Sequence, residues 1–310
     1  MTPAVMKIYK IRHNTTYRYD GLASICHNEV RLTPLNMATQ RCVSTSFVVT
    51  PTPATTDEFN DFFGNRVTSF AIQEPHEELE IEFNSLVEVT PPRWLGASED
   101  PTAWDTAAEQ LRSQSGAKWA EVRQFALASP LIAPAADLRN YAAPSFTKGR
   151  PLAQAALDLM HRIYAEFEFV SGFTTISTPL SELLQHRRGV CQDFAQLAIG
   201  CLRSLGLPAR YVSGYIETAP PPGQKRLIGA DASHAWFSVF HPQAGWQDFD
   251  PTNNKQPNGQ HITLSYGRDF SDISPVKGVM VGSGGHEIDV AVDVIPSNEF
   301  QSQTQFQQQS

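Results

Sequence analysis

The chain has 310 residues, 41% of them hydrophobic, which is enough for a sizeable core and for about two domains. The formal net charge of −8 and the lack of a long basic run count against nucleic acid and anionic membrane as partners, and no stretch approaches the roughly 20 apolar residues of a membrane helix. Four cysteines, Cys26, Cys42, Cys191 and Cys201, are too few and too scattered for a disulfide scaffold, and without a CxxC pair they argue against cysteine-bound zinc. The N-terminus has no apolar signal core, so the expected location is the reducing cytoplasm.

Residues 7–19, KIYKIRHNTTYRY, are rich in β-branched and aromatic residues and partly alternate, which predicts a strand. The segments CVSTSFVVTPTP, RVTSFAIQ and LEIEFNSLVEVTPP read the same way, and DFFGN is a turn with glycine at its tight position. Residues 1–92 are therefore expected to form an all-β domain. The following stretch, 93–150, becomes alanine-rich and loosely helical, the composition of a helical connector. A helix with proline at its start, PLAQAALDLMHRIYAEF, opens the next unit, which is expected to span 151–295. The Gln/Ser-rich tail, 296–310, has no apolar period and is expected to be disordered.

Within the second unit, Phe194, Leu197, Ala198, Cys201, Leu202 and Leu205 recur at helical spacing. Gly206 suits a left-handed cap and Pro208 cannot continue the helix, so a helix is predicted over about 191–205. Cys191 then lies in its first turn, and Gly189 lets the backbone turn sharply into it. A helix N-terminus beside an imidazolium favours a thiolate, and its free N–H groups can face a developing oxyanion. Cys201, on the apolar face, reads as a small buried residue. Asp193 favours the helix dipole but opposes a neighbouring thiolate, which gives it a structural role.

Downstream, SHAWFSVF (233–240) and GWQDFDPT (245–252) read as strands joined by the turn-rich HPQAG. If Phe240 pairs with Trp246, His234 faces Thr252; a loop two residues shorter sets His234 opposite Asp250. In either register His234 and Asp250 share a face, directly or diagonally within cross-strand reach. A carboxylate there would fix the imidazole tautomer and stabilise the imidazolium.

GVCQDFAQL, ARYVSGY, ASHAWFSVF and WQDFDPTN resemble the core of the transglutaminase-like superfamily, and HNTTYRY, RLTP and DFFGN resemble the region that precedes this core in bacterial members. The resemblance implies an α+β protein: an N-terminal all-β domain followed by a papain-like transglutaminase core, with a catalytic helix packed on an antiparallel sheet. It implies a Cys–His–Asp triad of Cys191, His234 and Asp250 acting on a peptide or protein amide through an acyl-enzyme. Water or an amine could be the acceptor. Hydrolysis is favoured because water needs no second binding site, with protein-glutamine transglutamination and a non-catalytic scaffold as alternatives. Gln185, Gln192, Tyr215 and Trp236 are candidates for a second oxyanion donor or substrate contact, although ELLQHRRG reads as the end of another helix and packing is the commoner role for the other three. No calcium loop, HExxH site or phosphate-cradling loop is present in the sequence, so no cofactor or metal is expected. His13 is expected to make a polar contact in the β domain. The proline-rich segment 218–233 is a candidate cleft wall that selects the acceptor.

Overall fold

The computed structural model describes residues 5–93, 101–218, 233–282 and 284–297. Its first sheet has seven strands: β1 (Lys7–Val30), β2 (Gln40–Thr50), β3 (Thr55–Asn60), β4 (Arg66–Ile72), β5 (His76–Val89), and, from the far end of the chain, β12 (Val276–Gly282) and β13 (His286–Pro296). β1 is the spine. Its first half pairs with β5 and β13 and its second half with β4 and β12, all antiparallel. Alternation explains the face that is buried: Leu79, Ile81, Phe83 and Val87 of β5 and Val292 and Val294 of β13 point inward with Tyr9 and Ile11. The DFFGN turn forms as expected, with Gly64 at φ +84° and Asp61 Oδ1 accepting from the N–H groups of Phe63 and Asn65.

The helical connector contains α1 (Trp104–Ser113), α2 (Ala117–Arg123), a 3₁₀ turn and α3 (Ala136–Ala142), and α4 (Leu152–Glu166) follows. Then come β6 (Glu168–Phe169), α5 (Leu180–His186), β7 (Arg188–Gly189) and α6 (Cys191–Ser204). The second sheet is antiparallel, in the order β10-β9-β8-β11, from β8 (Ala209–Ile216), β9 (Ser233–His241), β10 (Gly245–Phe249) and β11 (His261–Gly267). α6 is buried along its length. Phe194, Leu197, Ala198, Cys201 and Leu202 share one core with Tyr211, Ala235, Phe237 and Val239 of the sheet. The helix ends as its sequence predicts, with Gly206 at φ +80° and the Leu207 N–H returning to Leu202 O.

The units differ from the sequence expectation at the C-terminus. β12 and β13 lie inside the stretch assigned to 151–295, yet they complete the first sheet by pairing with β1. A division at residue 92 therefore splits the first sheet, whereas the second sheet lies wholly after it. The expected cleft wall at 218–233 and the tail at 296–310 fall largely on residues 219–232 and 298–310, outside the described residues.

The two sheets meet at the outer edge of β11. There the amide of Gln40 donates to Thr263 O and accepts from Thr263 N–H, both at 2.8 Å. Asn65 does the same for Tyr266, at 2.9 Å in each direction. Two side chains of the first unit thus satisfy backbone groups that an edge strand would otherwise leave unpaired.

Candidate active site

Cys191 is the first residue of α6 and is half-buried. The turn into it depends on Gly189, where a Cβ would lie 2.7 Å from Asp193 Oδ2 and 2.9 Å from Asp193 Cβ. That close approach lets Asp193 accept from the Val190 N–H at 2.8 Å, tying the helix start to its own first turn. Thr174 Oγ1 donates to the same oxygen at 2.6 Å. Burial raises the Asp193 pKa in spite of these bonds. The structure therefore gives Asp193 the structural role expected of it.

β9 and β10 pair in the first of the two registers considered, with Phe240 opposite Trp246, and the ladder ends at Phe249–Phe237. Beyond it the chain turns, and Asp250 bridges to Lys255. The carboxylate reaches back diagonally, so that His234 Nε2 lies 2.8 Å from Asp250 Oδ2. Asp250 has no solvent exposure. Its Oδ1 accepts from the backbone N–H groups of Thr252 and Asn253, and its Oδ2 also accepts from Asn253 Nδ2 at 2.8 Å and from His261 Nε2 at 2.9 Å.

An ionised carboxylate only accepts, so both imidazoles must carry a proton on Nε2. Nδ1 of His234 is then the nitrogen left for Cys191, with which the ring also interacts. Burial acts to lower the His234 pKa, but the hydrogen bonds and charges of Asp250 and Cys191 outweigh it and hold it at about 9. Burial likewise acts to raise the Asp250 pKa, and the bonds from His234 and His261 overcome it, holding the carboxyl far below its ordinary range. His261 is lowered, mainly by burial. These three residues bring ligand-type atoms within 4.8 Å of one another, the one such group among the described residues. With both Nε2 atoms directed at one carboxylate oxygen, the set has the geometry of a hydrogen-bonded relay, and a metal would have to displace both protons.

His234 and His261 converge across β8 because Gly214 lies between them, paired with His234. A Cβ at Gly214 would lie 2.0 Å from Ile262 O and 2.7 Å from Trp236 Cη2. Its absence lets the Trp236 indole lie over β8 and meet His261 edge-on, with ring centroids 5.1 Å apart. Trp236 is thus a fully buried support beneath the imidazoles, and its Nε1 donates to Asp248 Oδ2 at 3.4 Å.

The remaining sequence candidates are dispersed. Tyr215 packs in the core of the first sheet and bonds through its hydroxyl to His13 Nδ1 at 2.8 Å. It is committed there and not to an oxyanion, because its side chain leaves β8 toward the other unit. His13, lowered to about 4 by burial, is neutral and makes the polar contact expected of it, shared between Tyr215 and Thr15. Gln185 is exposed in the last turn of α5, and Gln192 is half-buried in the first turn of α6. Cys201 is fully buried, which pushes its thiol pKa far up. Sequence reasoning missed His261 and Asn253. The available signal was a second histidine opening the strand-like HITLSYG.

Residues 9–88 match the bacterial transglutaminase-like N-terminal region, and residues 139–251 match the transglutaminase-like superfamily. The uncharacterized protein Rv2569c of Mycobacterium tuberculosis is 42% identical over 293 residues, covering 93% of this chain and 92% of its own. Over 76 residues, 24% of this chain and 11% of the relative, the protein is 36% identical to a protein-glutamine gamma-glutamyltransferase of Pseudomonas aeruginosa. The solved structure of "a Putative Cysteine Protease from Cytophaga hutchinsonii" shares the fold, with a TM-score of 0.77 at 21% identity over 95% of this chain and 92% of that one. By its relatives, its fold and the motifs around Cys191, this chain belongs to the transglutaminase-like superfamily.

Proposed function

We propose that the protein is a cysteine-dependent amide hydrolase acting on peptide or protein substrates through Cys191, His234 and Asp250. The observation that carries this reading is the position of His234. One nitrogen faces a helix-opening cysteine and the other is 2.8 Å from a fully buried carboxylate.

In the first step the Cys191 proton already resides on His234 Nδ1, as the raised His234 pKa requires, and Sγ attacks the amide carbonyl. The charge that develops on the carbonyl oxygen is met by free N–H groups at the start of α6. As the C–N bond breaks, the imidazolium returns the proton to the leaving amine, and a thioester remains. Water then attacks the thioester with His234 as base, releasing a carboxylic acid and the free thiol. Asp250 keeps the proton on Nε2 throughout and stabilises the imidazolium. An amine in place of water would give transamidation by the same steps, and hydrolysis is favoured because water needs no second binding site.

The test is a panel of peptide and glutamine donors, with and without an added amine, together with iodoacetamide labelling mapped by mass spectrometry. Labelling at mildly acidic pH is expected at Cys191 well ahead of Cys42, and of the buried Cys26 and Cys201. Cys191→Ala is expected to abolish turnover. Equal labelling of Cys191 and Cys42, or turnover by Cys191→Ala, would reject the reading. Product that incorporates the amine at the expense of acid would replace hydrolysis by acyl transfer.

A further inference from the structure

We infer that His261 is a positioning residue that divides the charge of Asp250 between two imidazoles and so keeps the His234 imidazolium a competent proton donor. This rests on the proposed acid–base role of His234.

The geometry is a single oxygen with three donors. Asp250 Oδ2 receives His234 Nε2 at 2.8 Å, His261 Nε2 at 2.9 Å and Asn253 Nδ2 at 2.8 Å. His261 is 5% exposed and held firmly. It stands at the start of β11, which Gln40 holds at Thr263 two residues on, and its ring packs edge-on against Trp236. Since Nε2 donates to the carboxylate, Nδ1 of the neutral ring carries no proton, and that atom is buried without a hydrogen-bond partner. Such a placement leaves a buried acceptor without its bond, a cost the fold bears at this position. The catalytic triad alone does not require it, because Asn253 and two backbone N–H groups already orient the carboxylate.

The charged groups around His261 agree with a neutral donor. Asp250 favours its protonated form, while burial and the positive charges of His234 and Lys255 oppose it. Arg210, Asp248 and Arg93 share with it the wall of a cavity of about 330 Å³ between the two units. A neutral N–H donor draws charge density from Oδ2 without adding a full positive charge beside His234. Were it lost, the same carboxylate charge would fall on His234 and Asn253. The imidazolium would be held more tightly and would release its proton to a leaving amine more slowly.

The experiment is an NMR titration of the His234 ring in the full chain, for the wild type, His261→Phe and His261→Gln, with Cys191 alkylation followed in parallel. In His261→Phe the His234 titration is expected to move up by at least about half a pH unit, with turnover falling several-fold. His261→Gln, whose amide reaches the same oxygen, is expected to restore both toward wild type. Should His261→Phe fail to fold, His261→Asn, too short to reach Oδ2, carries the same expected shift. A His234 titration unchanged in His261→Phe or His261→Asn would overturn the inference and leave His261 as packing alone. The titration requires no substrate. Failure of selective Cys191 labelling would therefore reject the proposed function separately.

Discussion

Replacing Asp250 by asparagine exchanges one carboxylate oxygen for an amide nitrogen at a residue with no solvent exposure. Oδ1 can go on accepting from the N–H groups of Thr252 and Asn253. On the other side the new NH₂ would meet His234 Nε2, His261 Nε2 and Asn253 Nδ2, three donors that now face a donor. His234 escapes by moving its proton to Nδ1, the nitrogen that faces Cys191, and there it can no longer take the thiol proton. The equivalent change in a Ser-His-Asp enzyme lowers turnover about 10⁴-fold, and a loss of that order is expected here. Stability changes too. His234 is held at about 9 against an ordinary 6.5, a difference worth about 3 kcal/mol. Because the folded-state pKa is raised, this stabilisation is fully present below pH 6.5 and is lost as the pH climbs through about 9. The depressed pKa of Asp250 has the opposite sense. Its contribution is present above the ordinary carboxyl value of 3.8 and is lost as the pH falls below it. Urea unfolding of wild type and Asp250→Asn should therefore show the widest gap between about pH 4 and 6.5 and a narrowing gap toward pH 9. A gap that stays constant from pH 6 to 9 would refute the claim that Asp250 holds His234 charged.

Three further substitutions probe the supports of the site. Gly214→Ala drives a Cβ to 2.0 Å from Ile262 O, so a destabilisation of about 3 kcal/mol is expected, read by urea unfolding; an unchanged midpoint would show that β8 and β11 can part without cost. Gln40→Ala strips the Thr263 N–H of its partner, for about 1–3 kcal/mol, and hydrogen exchange at Thr263 should accelerate by the matching factor. Tyr215→Phe removes the 2.8 Å bond to His13, for about 1 kcal/mol, with turnover within about twofold of wild type; a tenfold loss would return Tyr215 to the active site.

What the sequence made legible was local or set by parity. The period of α6, its glycine exit and the position of Cys191 follow from a single 3.6-residue pattern. The shared face of His234 and Asp250 follows from strand alternation, even though Asp250 lies one residue past the ladder. β3 could not be found this way because every residue of TTDEFN is exposed, so no face is marked. β13 alternates well, yet nothing local says that its partner is β1, some 280 residues earlier, at Tyr9 opposite Pro296. His261 was hidden for a related reason. Its meeting with Asp250 requires β8 to lie between β9 and β11 and requires Gly214 to leave the space over β8 open, and neither fact is a property of a neighbouring stretch of chain. Tyr215 packs in a core, the commoner fate of a strand aromatic, but its sequence could not say which of the two cores receives it.

The first unit is tied to the candidate site through β11. An edge strand leaves a row of N–H and C=O groups without partners, and the usual remedy is another strand. Here the first sheet turns its buried face toward the second, with Tyr9, Ile81 and Val292 clustering with Tyr215, Ile262 and Leu264. It meets β11 with one backbone bond, from the Leu35 N–H to Thr263 O, and with the side chains of Gln40 and Asn65, each using both amide atoms on a single residue of β11. A second set of bonds runs from β1, where Tyr9 donates to Gly259 O at 2.9 Å and Lys7 pairs with Glu217. Gly259 lies two residues before His261 and Thr263 two residues after, so contacts from the first unit bracket that histidine on both sides. From His261 the contacts continue to Asp250, His234 and Cys191. The register of β11, and with it the angle at which His261 meets the carboxylate, is therefore set by Tyr9, Gln40 and Asn65, all in the first unit and more than a hundred positions before Cys191. An N-terminal unit that supplies such contacts is part of the framework of the candidate site, and β12 and β13, the last two strands among the described residues, brace it by pairing with β1.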